Sequence, residues 1–131
     1  MPGDPGRPPS GPGRGRAQAL GRQGEAEAAR WYEAAGFTVL ERNWRSPFGG
    51  ELDLVCRRAD LLVVCEVKAR TSERFGSPVE AVDGRKRLQL RRLAGQYLAG
   101  SGPGLRGVRV RFDVAARLPG GGLVVVEDAF G

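Results

Sequence analysis

The chain has 131 residues, which suits one domain with a single modest core, and 40% of them are hydrophobic. Lys and Arg number 21 against 15 Asp and Glu, and the net charge of +6 favours a polyanionic partner, most commonly nucleic acid. Histidine is absent, which excludes Ser–His–Asp and Cys–His mechanisms and histidine-based nucleases.

Missing motifs exclude further classes. There is no GxxxxGK(S/T) phosphate loop, which argues against a P-loop nucleotide hydrolase. Cys56 and Cys65 cannot build an ordinary four-ligand zinc site without histidine, so they are expected to be reduced, buried thiols. No apolar run approaches the ~20 residues that cross a bilayer, and the basic N-terminus lacks the apolar segment of a secretion signal. We therefore expect no membrane partner and a cytoplasmic location.

The first elements in chain order are an arm and a helix. Residues 1–18 contain five prolines, five glycines and three arginines, a composition that predicts a disordered basic arm. Residues 19–131 then form a single domain. From Leu20 to Ala35 the chain is rich in Ala, Glu and Arg with apolar residues at helical spacing, and Gly36 is a suitable stop.

The remaining elements alternate strands with one more helix. Strand character is predicted over FTVLERNW, residues 37–44, centred on Phe37–Leu40, and strands are predicted at 51–57 and 61–68. A helix at 84–99 and strands at 108–114 and 123–128 follow. The order α-β-β-β-α-β-β predicts an α/β domain with a mixed β-sheet flanked by helices.

The hairpin within GGELDLVCRRADLLVVCEVKAR, residues 49–70, carries the candidate chemistry. If its strands pair around Ala59 and Asp60, then Asp53 lies opposite Glu66 and Glu51 opposite Lys68. Side chains alternate along a strand, so one face collects these four charged groups. The other face is apolar and contains Leu52, Leu54, Cys56, Val63, Cys65 and Val67. A shift of one residue would destroy this segregation.

Opposed carboxylates in such a pair can share one cation. Their Cβ atoms lie ~4.5–5.5 Å apart, and without a cation the like charges would be destabilising. Carboxylate oxygens suit Mg²⁺ or Mn²⁺, with water and a substrate phosphate completing the ligand shell. Such an ion activates water and polarises a phosphodiester, and Lys68 could position that water or stabilise the phosphate. Asp53 and Glu66 are thus the predicted metal ligands.

The alternative is a solvated surface on which Glu51 pairs with Lys68 and arginines screen the two acids. Two observations weigh against it. The acids interrupt apolar stretches, and only two of the 21 basic residues are lysine, Lys68 and Lys86. Lysine is a compact charge with a tunable pKa, whereas arginine stays protonated.

Several segments resemble the YraN-type bacterial protein family, in the PD-(D/E)XK or restriction-endonuclease-like nuclease superfamily. They are GRQGEAEAARWYEAAGFTVLERNWR, GGELDLV, EVKAR, FGSPVEAVDGRKRLQL and RFDVA, and together the resemblance covers roughly residues 20–128. The superfamily's proline before the acid is replaced by Leu52. The resemblance implies a mixed sheet flanked by helices, a metal site at Asp53 and Glu66, and Lys68 as the catalytic lysine.

The resemblance also extends to residues outside the hairpin. Glu25 matches a first-helix glutamate that reaches the metal site in resolvase-like relatives, with an ordinary exposed glutamate as the alternative. Lys86 and Gln89, three residues apart on the second helix, could face a nucleic-acid cleft. Arg45 and Arg70 flank the hairpin and could contact the nucleic-acid backbone. Among other polar residues, Asp113 is expected to form an internal ion pair with a neighbouring arginine. Packing roles are expected for three aromatic residues, Trp31, Trp44 and Tyr97.

The leading hypothesis is a divalent-metal-dependent endonuclease that hydrolyses phosphodiesters, acting on branched or structured DNA, with DNA favoured over RNA. The first alternative is a non-catalytic nucleic-acid-binding protein that keeps the fold. The second is an interaction protein that uses the basic helix and arm on acidic proteins. Related nucleases often work as dimers, so a homodimer stays open.

Overall fold

The computed structural model describes residues 12–69 and 78–131, and its elements follow the expected order. They are α1 (Pro12–Ala34), β1 (Thr38–Arg45), β2 (Glu51–Arg58), β3 (Leu61–Ala69), α2 (Gly84–Gly100), β4 (Arg109–Arg117) and β5 (Leu123–Phe130). Single 3-10 turns at Pro78–Ala81 and Gly102–Leu105 precede and follow α2.

The five strands form one mixed sheet in the order β1-β2-β3-β4-β5. Neighbouring strands are antiparallel except β3 and β4, which run parallel and are connected through α2. The prediction of an α/β protein with a mixed sheet flanked by helices is confirmed, and the architecture is consistent with a restriction-endonuclease-like fold.

Each helix covers one side of the sheet. On the α1 side, Ala28, Ala29 and Tyr32 pack on Leu54, Cys56, Val63, Cys65 and Ala115. On the α2 side, Leu90, Leu93, Ala94 and Tyr97 pack with Val55, Leu62, Val64, Phe112 and Val114. Both faces of β2 and β3 are therefore buried, and the charged face expected on the hairpin does not lie in open solvent.

Element boundaries differ from expectation mainly at the N-terminal side. The first helix begins at Pro12 rather than Leu20, so residues 12–18 of the expected disordered arm are helical, while residues 1–11 lie outside the described residues. The helix ends as expected before Gly36, whose φ of 90° suits glycine. The first strand, Thr38–Arg45, agrees with the predicted stretch 37–44 to within one residue at each end and is paired along β2.

The predicted hairpin register is confirmed where the two strands pair. Leu54 lies opposite Cys65, and the antiparallel pairing continues to Arg58 opposite Leu61. Both cysteines are free and buried, as expected. No helix within the described ranges is long and apolar enough to cross a membrane.

Alternation breaks at one position of β2, and the expected apolar face is wrong there. Leu54 packs on the α1 side as predicted, but Leu52 packs on the α2 side. Residues two apart normally share a face of a strand, so the chain must rotate at Asp53. The adjacent residue of β1, Asn43, has a φ of 56°. The irregularity therefore lies at the candidate metal ligand itself.

Candidate functional site

The side chain of Asp53 takes a hydrogen bond from the backbone of β3. Its Oδ2 accepts from the backbone N–H of Val67 at 2.9 Å. The paired stretch of the two strands ends at Leu54 and Cys65, so Asp53 and Glu66 are the first residues beyond it. The irregular backbone at Asp53 thus aims its carboxylate across the end of the hairpin toward the neighbouring strand.

Glu66 is almost fully buried, with 4% of its surface exposed, and two cations reach it. The Nζ atoms of Lys68 and Lys86 each lie 3.4 Å from the same oxygen, Oε2. These are the two lysines of the chain, one on β3 and one in the first turns of α2. Among 21 basic residues, the two with a compact ammonium group meet at one carboxylate oxygen.

The pKa of Asp53 is raised to about 8, principally by burial and then by the negative charge of Glu66. The hydrogen bond from Val67 acts in the opposite direction, and the charge of Glu25 adds to the increase. Two carboxylates close together cannot both ionise without cost, so one retains a proton near neutral pH. Perturbation by burial combined with a specific charged neighbour is typical of functional sites.

Glu25 of α1 lies on the border of this group. Its Oε2 accepts a hydrogen bond of 2.6 Å from Nδ2 of Asn43, and its charge is felt at Asp53. Asn43 was not predicted as a site residue. Its signal in the sequence is weak, although asparagine tolerates the positive φ that it adopts here. The first helix and β1 thus hold a third carboxylate near the pair.

Asp53 and Glu66 are the residues that could hold a divalent cation. Their oxygens are hard ligands of the kind that Mg²⁺ and Mn²⁺ prefer, and a cation would relieve the repulsion that raises the pKa of Asp53. Over the part of the chain that the structure describes, no group of three or more Cys, Asp or Glu side chains is arranged to hold a metal ion. The donor set therefore fits an ion that takes its other ligands from water or a substrate phosphate.

The ion pairs of the hairpin differ from the alternative in which Glu51 pairs with Lys68. Glu51 pairs with Arg45 at 3.6 Å rather than with Lys68, because Lys68 turns to the buried Glu66. Lys86, expected at a nucleic-acid cleft, also contacts Glu66. Burial of Glu66 contradicts the alternative of a purely solvated charged face.

Two of the other predicted binding residues, Gln89 and Arg45, lie beside the turn between β1 and β2. Gln89 faces the turn between β1 and β2, where its Nε2 would lie 3.2 Å from a Cβ at Gly50. Arg45 is exposed and reaches Glu51, whereas Arg70 lies outside the described residues. Lys86 and Gln89 therefore contact different partners despite their helical spacing: Lys86 contacts Glu66, and Gln89 lies beside Gly50.

The packing expectations hold. Asp113 forms an internal ion pair with Arg111, with Nε to Oδ1 at 2.9 Å, as predicted. The rings of Trp44 and Tyr97 meet edge to face at 5.3 Å, and Trp31 contacts Tyr32 in the same way. These aromatic side chains contribute to packing.

The sequence matches a family model described as "Uncharacterised protein family UPF0102" over residues 24–116. The chain belongs to this family. It is 50% identical over 96 residues to a UPF0102 protein of Moorella thermoacetica, covering 73% of this chain and 78% of the relative. It is 49% identical over 116 residues to UPF0102 protein SCO5602 of Streptomyces coelicolor, covering 86% and 87%. A UPF0102 protein of Kineococcus radiotolerans is 51% identical over 98 residues, covering 75% and 79%.

The UPF0102 match confirms the predicted YraN-type resemblance. The matched range begins next to Glu25 and includes the whole hairpin and Lys86. Every residue around Glu66 described above therefore belongs to the part of the chain that the family model covers.

Proposed function

We propose that this UPF0102 protein is a divalent-metal-dependent nuclease that hydrolyses phosphodiester bonds. The observation that carries the proposal is the buried carboxylate Glu66, next to the protonatable Asp53 and in contact with both lysines of the chain. A structural ion pair needs one acid and one base. Two neighbouring acids and two lysines at the open end of a hairpin are better explained by a site that binds a cation and a phosphate.

Each residue has a distinct role in the proposal. Asp53 and Glu66 hold the cation, which when bound polarises the phosphodiester and makes an attacking water more acidic. Lys68 directs its ammonium group toward that water or toward a non-bridging phosphate oxygen, where it offsets the negative charge that develops. Glu25, fixed by Asn43, holds water in the cation's outer shell.

The substrate in this proposal is nucleic acid, with DNA favoured over RNA and branched or structured forms over plain duplex. The net charge of +6 supports a polyanion. Exposed arginines lie near the candidate site: Arg45 on β1 and Arg85 and Arg92 on α2. These side chains would contact phosphates on either side of the bond that is cleaved.

Metal binding is the first test. Isothermal titration calorimetry with Mn²⁺ should detect binding to the wild-type protein and none to Glu66→Gln. The matched control is Glu80→Gln, which removes one negative charge at an exposed position outside the site. If the wild-type protein binds no Mn²⁺ or Mg²⁺, the metal site proposed here is wrong.

Cleavage is the second test. Labelled flapped, branched, single-stranded and duplex oligonucleotides should be incubated with Mn²⁺ and the products separated by size. We expect Lys68→Met to reduce the rate by roughly 10²–10³-fold, as loss of an electrostatic catalytic group does. The control, Arg106→Met, also removes one positive charge but at an exposed position, and it should cleave normally.

A non-catalytic nucleic-acid-binding protein is the second candidate. One observation favours it: three ligand side chains do not converge anywhere in the described parts of the chain. This candidate predicts binding that weakens steeply with salt because phosphate contacts release counterions. It also predicts no cleavage of any substrate in the panel with either metal, and Lys68→Met would then change only the affinity.

A further inference from the structure

We infer that the turn joining β1 and β2 is a nucleic-acid contact in which Phe48 stacks on an unpaired base beside the bond to be cleaved. Phe48 is 83% exposed, the largest exposed fraction among the large hydrophobic side chains in the described segments. The inference rests on the proposed function and adds a preference for substrates with an unpaired base.

The turn that carries Phe48 is held by several hydrogen bonds. The Ser46 N–H donates to the Gly50 carbonyl at 2.9 Å, and the Gly49 N–H donates to the Ser46 carbonyl at 3.1 Å. The Phe48 N–H donates to Ser46 Oγ at 3.1 Å. The ring is therefore presented on an ordered backbone, so little conformational entropy is lost when it makes a contact.

The turn is also anchored to α2. Ser46 is buried, and its Oγ donates to Oε1 of Gln96 at 2.5 Å. Gly50 lies so close to the helix that a Cβ there would be 3.1 Å from Cδ1 of Leu93. The φ of Gly50 is 88°, a backbone conformation that glycine adopts readily because it has no Cβ. Ser46 is buried, whereas the neighbouring side chains of Pro47 and Phe48 are exposed, and Phe48 is the aromatic one.

The same helix connects the turn with the carboxylate pair. Lys86 reaches Glu66, and Gln89, one helical turn later, reaches Gly50. Along β2, Asp53 lies three residues after Gly50. Three residues of strand span about 10 Å, so a nucleic-acid strand bound at the carboxylates could extend to the turn.

Arginines border the turn on two sides, and one of them, Arg45, also pairs with Glu51 at 3.6 Å. Arg45 is exposed on one side of the turn and contributes to a hollow with Ser46, Gly49, Gly50 and Glu51. On α2, a second hollow is lined by Arg85, Leu88, Gln89 and Arg92. An exposed ring between arginine-bearing surfaces matches the chemistry of a nucleic-acid strand, in which phosphates alternate with flat bases.

The chemistry of the ring selects an unpaired base. Phenylalanine has no polar atom with which to read base edges, but it offers a flat face for stacking. In an intact duplex the base faces are covered by neighbouring pairs, whereas bases at a flap, a junction or a single strand are accessible. The turn therefore distinguishes substrates by whether a base is free to stack.

Binding should be measured without hydrolysis, by fluorescence anisotropy of the full chain with labelled oligonucleotides in EDTA. We expect Phe48→Ala to weaken single-strand and flap binding by roughly 5- to 100-fold, the range found when a stacking aromatic is removed, with less than about 2-fold change for blunt duplex. Phe48→Leu should behave like Phe48→Ala because it lacks the ring, and Phe48→Trp should retain the affinity. Because Phe48 is exposed, none of these variants should change the melting temperature.

The matched control is Val124→Ala, which removes an exposed apolar side chain from β5 at the other edge of the sheet. A direct readout is the fluorescence of 2-aminopurine placed at the unpaired position. Its change on binding should be present with the wild-type protein and with Val124→Ala and be absent with Phe48→Ala.

The outcomes separate this inference from the proposed hydrolysis. Selective loss of single-strand binding in Phe48→Ala and Phe48→Leu supports the stacking contact even if no substrate is cleaved with Mn²⁺. Equal single-strand affinities for the wild-type protein, Phe48→Ala and Phe48→Leu overturn the stacking contact even if cleavage is observed. Failure of the wild-type protein to bind any oligonucleotide also overturns it, and the exposed ring would then belong to a protein–protein contact.

Discussion

Two buried acidic regions lie on the same sheet and differ in how their charges are compensated. Asp113 on β4 is fully buried, and Nε and Nη2 of Arg111 each donate to it at 2.9 Å. The hydroxyl of Tyr32 and the backbone N–H of Asp128 supply two more hydrogen bonds. Asp53 and Glu66 instead lie close to each other, and the backbone N–H of Val67 and two lysines only partly offset their charges.

The difference separates a structural acid from an acid retained for binding. Every oxygen of Asp113 is paired inside the protein, so that region needs nothing from outside and raises the pKa of the Tyr32 hydroxyl by burial and by its own charge. Burial and then the negative charge of Glu66 raise the pKa of Asp53, and an external cation would offset the repulsion between the two carboxylates.

The largest expected effect is loss of the Asp113 network. Asp113→Ala leaves Arg111 with only the more exposed Glu127, at 3.2 Å, and removes the acceptor of the Tyr32 hydroxyl and the Asp128 N–H. Loss of this buried network should cost roughly 3–5 kcal/mol of unfolding free energy. Urea unfolding followed by circular dichroism measures it. A loss below about 1 kcal/mol would contradict the distinction drawn between the two acids.

A metal should stabilise the other region instead. At 100 times its dissociation constant, Mn²⁺ should raise the unfolding free energy by ~2.7 kcal/mol in the wild-type protein and by nothing in Glu66→Gln. Because the pKa of Asp53 is about 8, binding at pH 7 should also release about one proton. Calorimetry in buffers of different ionisation enthalpy counts that proton, and the count should fall toward zero above the pKa of Asp53.

The pH dependence of the metal-free protein tests the raised pKa of Asp53 directly. The pKa of Asp53 is higher in the folded chain, about 8, than its ordinary value of 3.8, so the folded state binds more protons between these values. Stability attributable to Asp53 is therefore present at low pH and is lost as pH rises toward 8.

Asp53→Asn should remove this dependence while still accepting the hydrogen bond from Val67. Relative to the wild-type protein, its unfolding free energy should rise between pH 5 and pH 8.5, by up to about 1.4 kcal/mol for each pH unit below the pKa of Asp53, measured by urea unfolding. The same relative stability at both pH values would show that Asp53 is not strained by its neighbour.

The smallest effect is expected at an exposed ion pair. Asp60 and Arg109 pair at 3.3 Å with both side chains largely exposed, and Arg109 lowers the pKa of Asp60. Solvent screens such a pair, so Asp60→Asn should leave the thermal unfolding midpoint unchanged within error. A clear fall in the midpoint would mean that surface charge contributes more than the contrast between buried acids allows.

Sequence reasoning reached the hairpin register because alternation of apolar residues leaves one pairing that buries them. That register placed Asp53 opposite Glu66, whereas the contact of Lys68 with Glu66 at 3.4 Å follows from their positions two residues apart on β3. The rotation at Asp53 could not be predicted, since it depends on the irregular backbone of the neighbouring strand at Asn43. The helical start at Pro12 was missed because a Pro- and Gly-rich segment has low intrinsic helix propensity.

Contacts between residues on different elements, which depend on tertiary packing, could not be predicted from the sequence either. Lys86 was predicted on α2, but its contact with Glu66 was not, because only the docking of α2 on the sheet brings the two side chains together. The link between Asn43 and Glu25 joins residues 18 positions apart on different elements, with no periodic signal. The exposure of Phe48 likewise depends on how the turn packs against α2.

The meeting of both lysines at Glu66 has a practical consequence for labelling. Apart from the chain terminus, their Nζ atoms are the protein's primary amines, since all its other basic side chains are arginines. An amine-directed reagent would thus modify two lysines that contact the same carboxylate, Glu66. The acylation rate of each lysine would report whether a ligand occupies the site at Glu66. Mass spectrometry of the modified peptides would then serve as a chemical footprint of ligand arrival without any engineered probe.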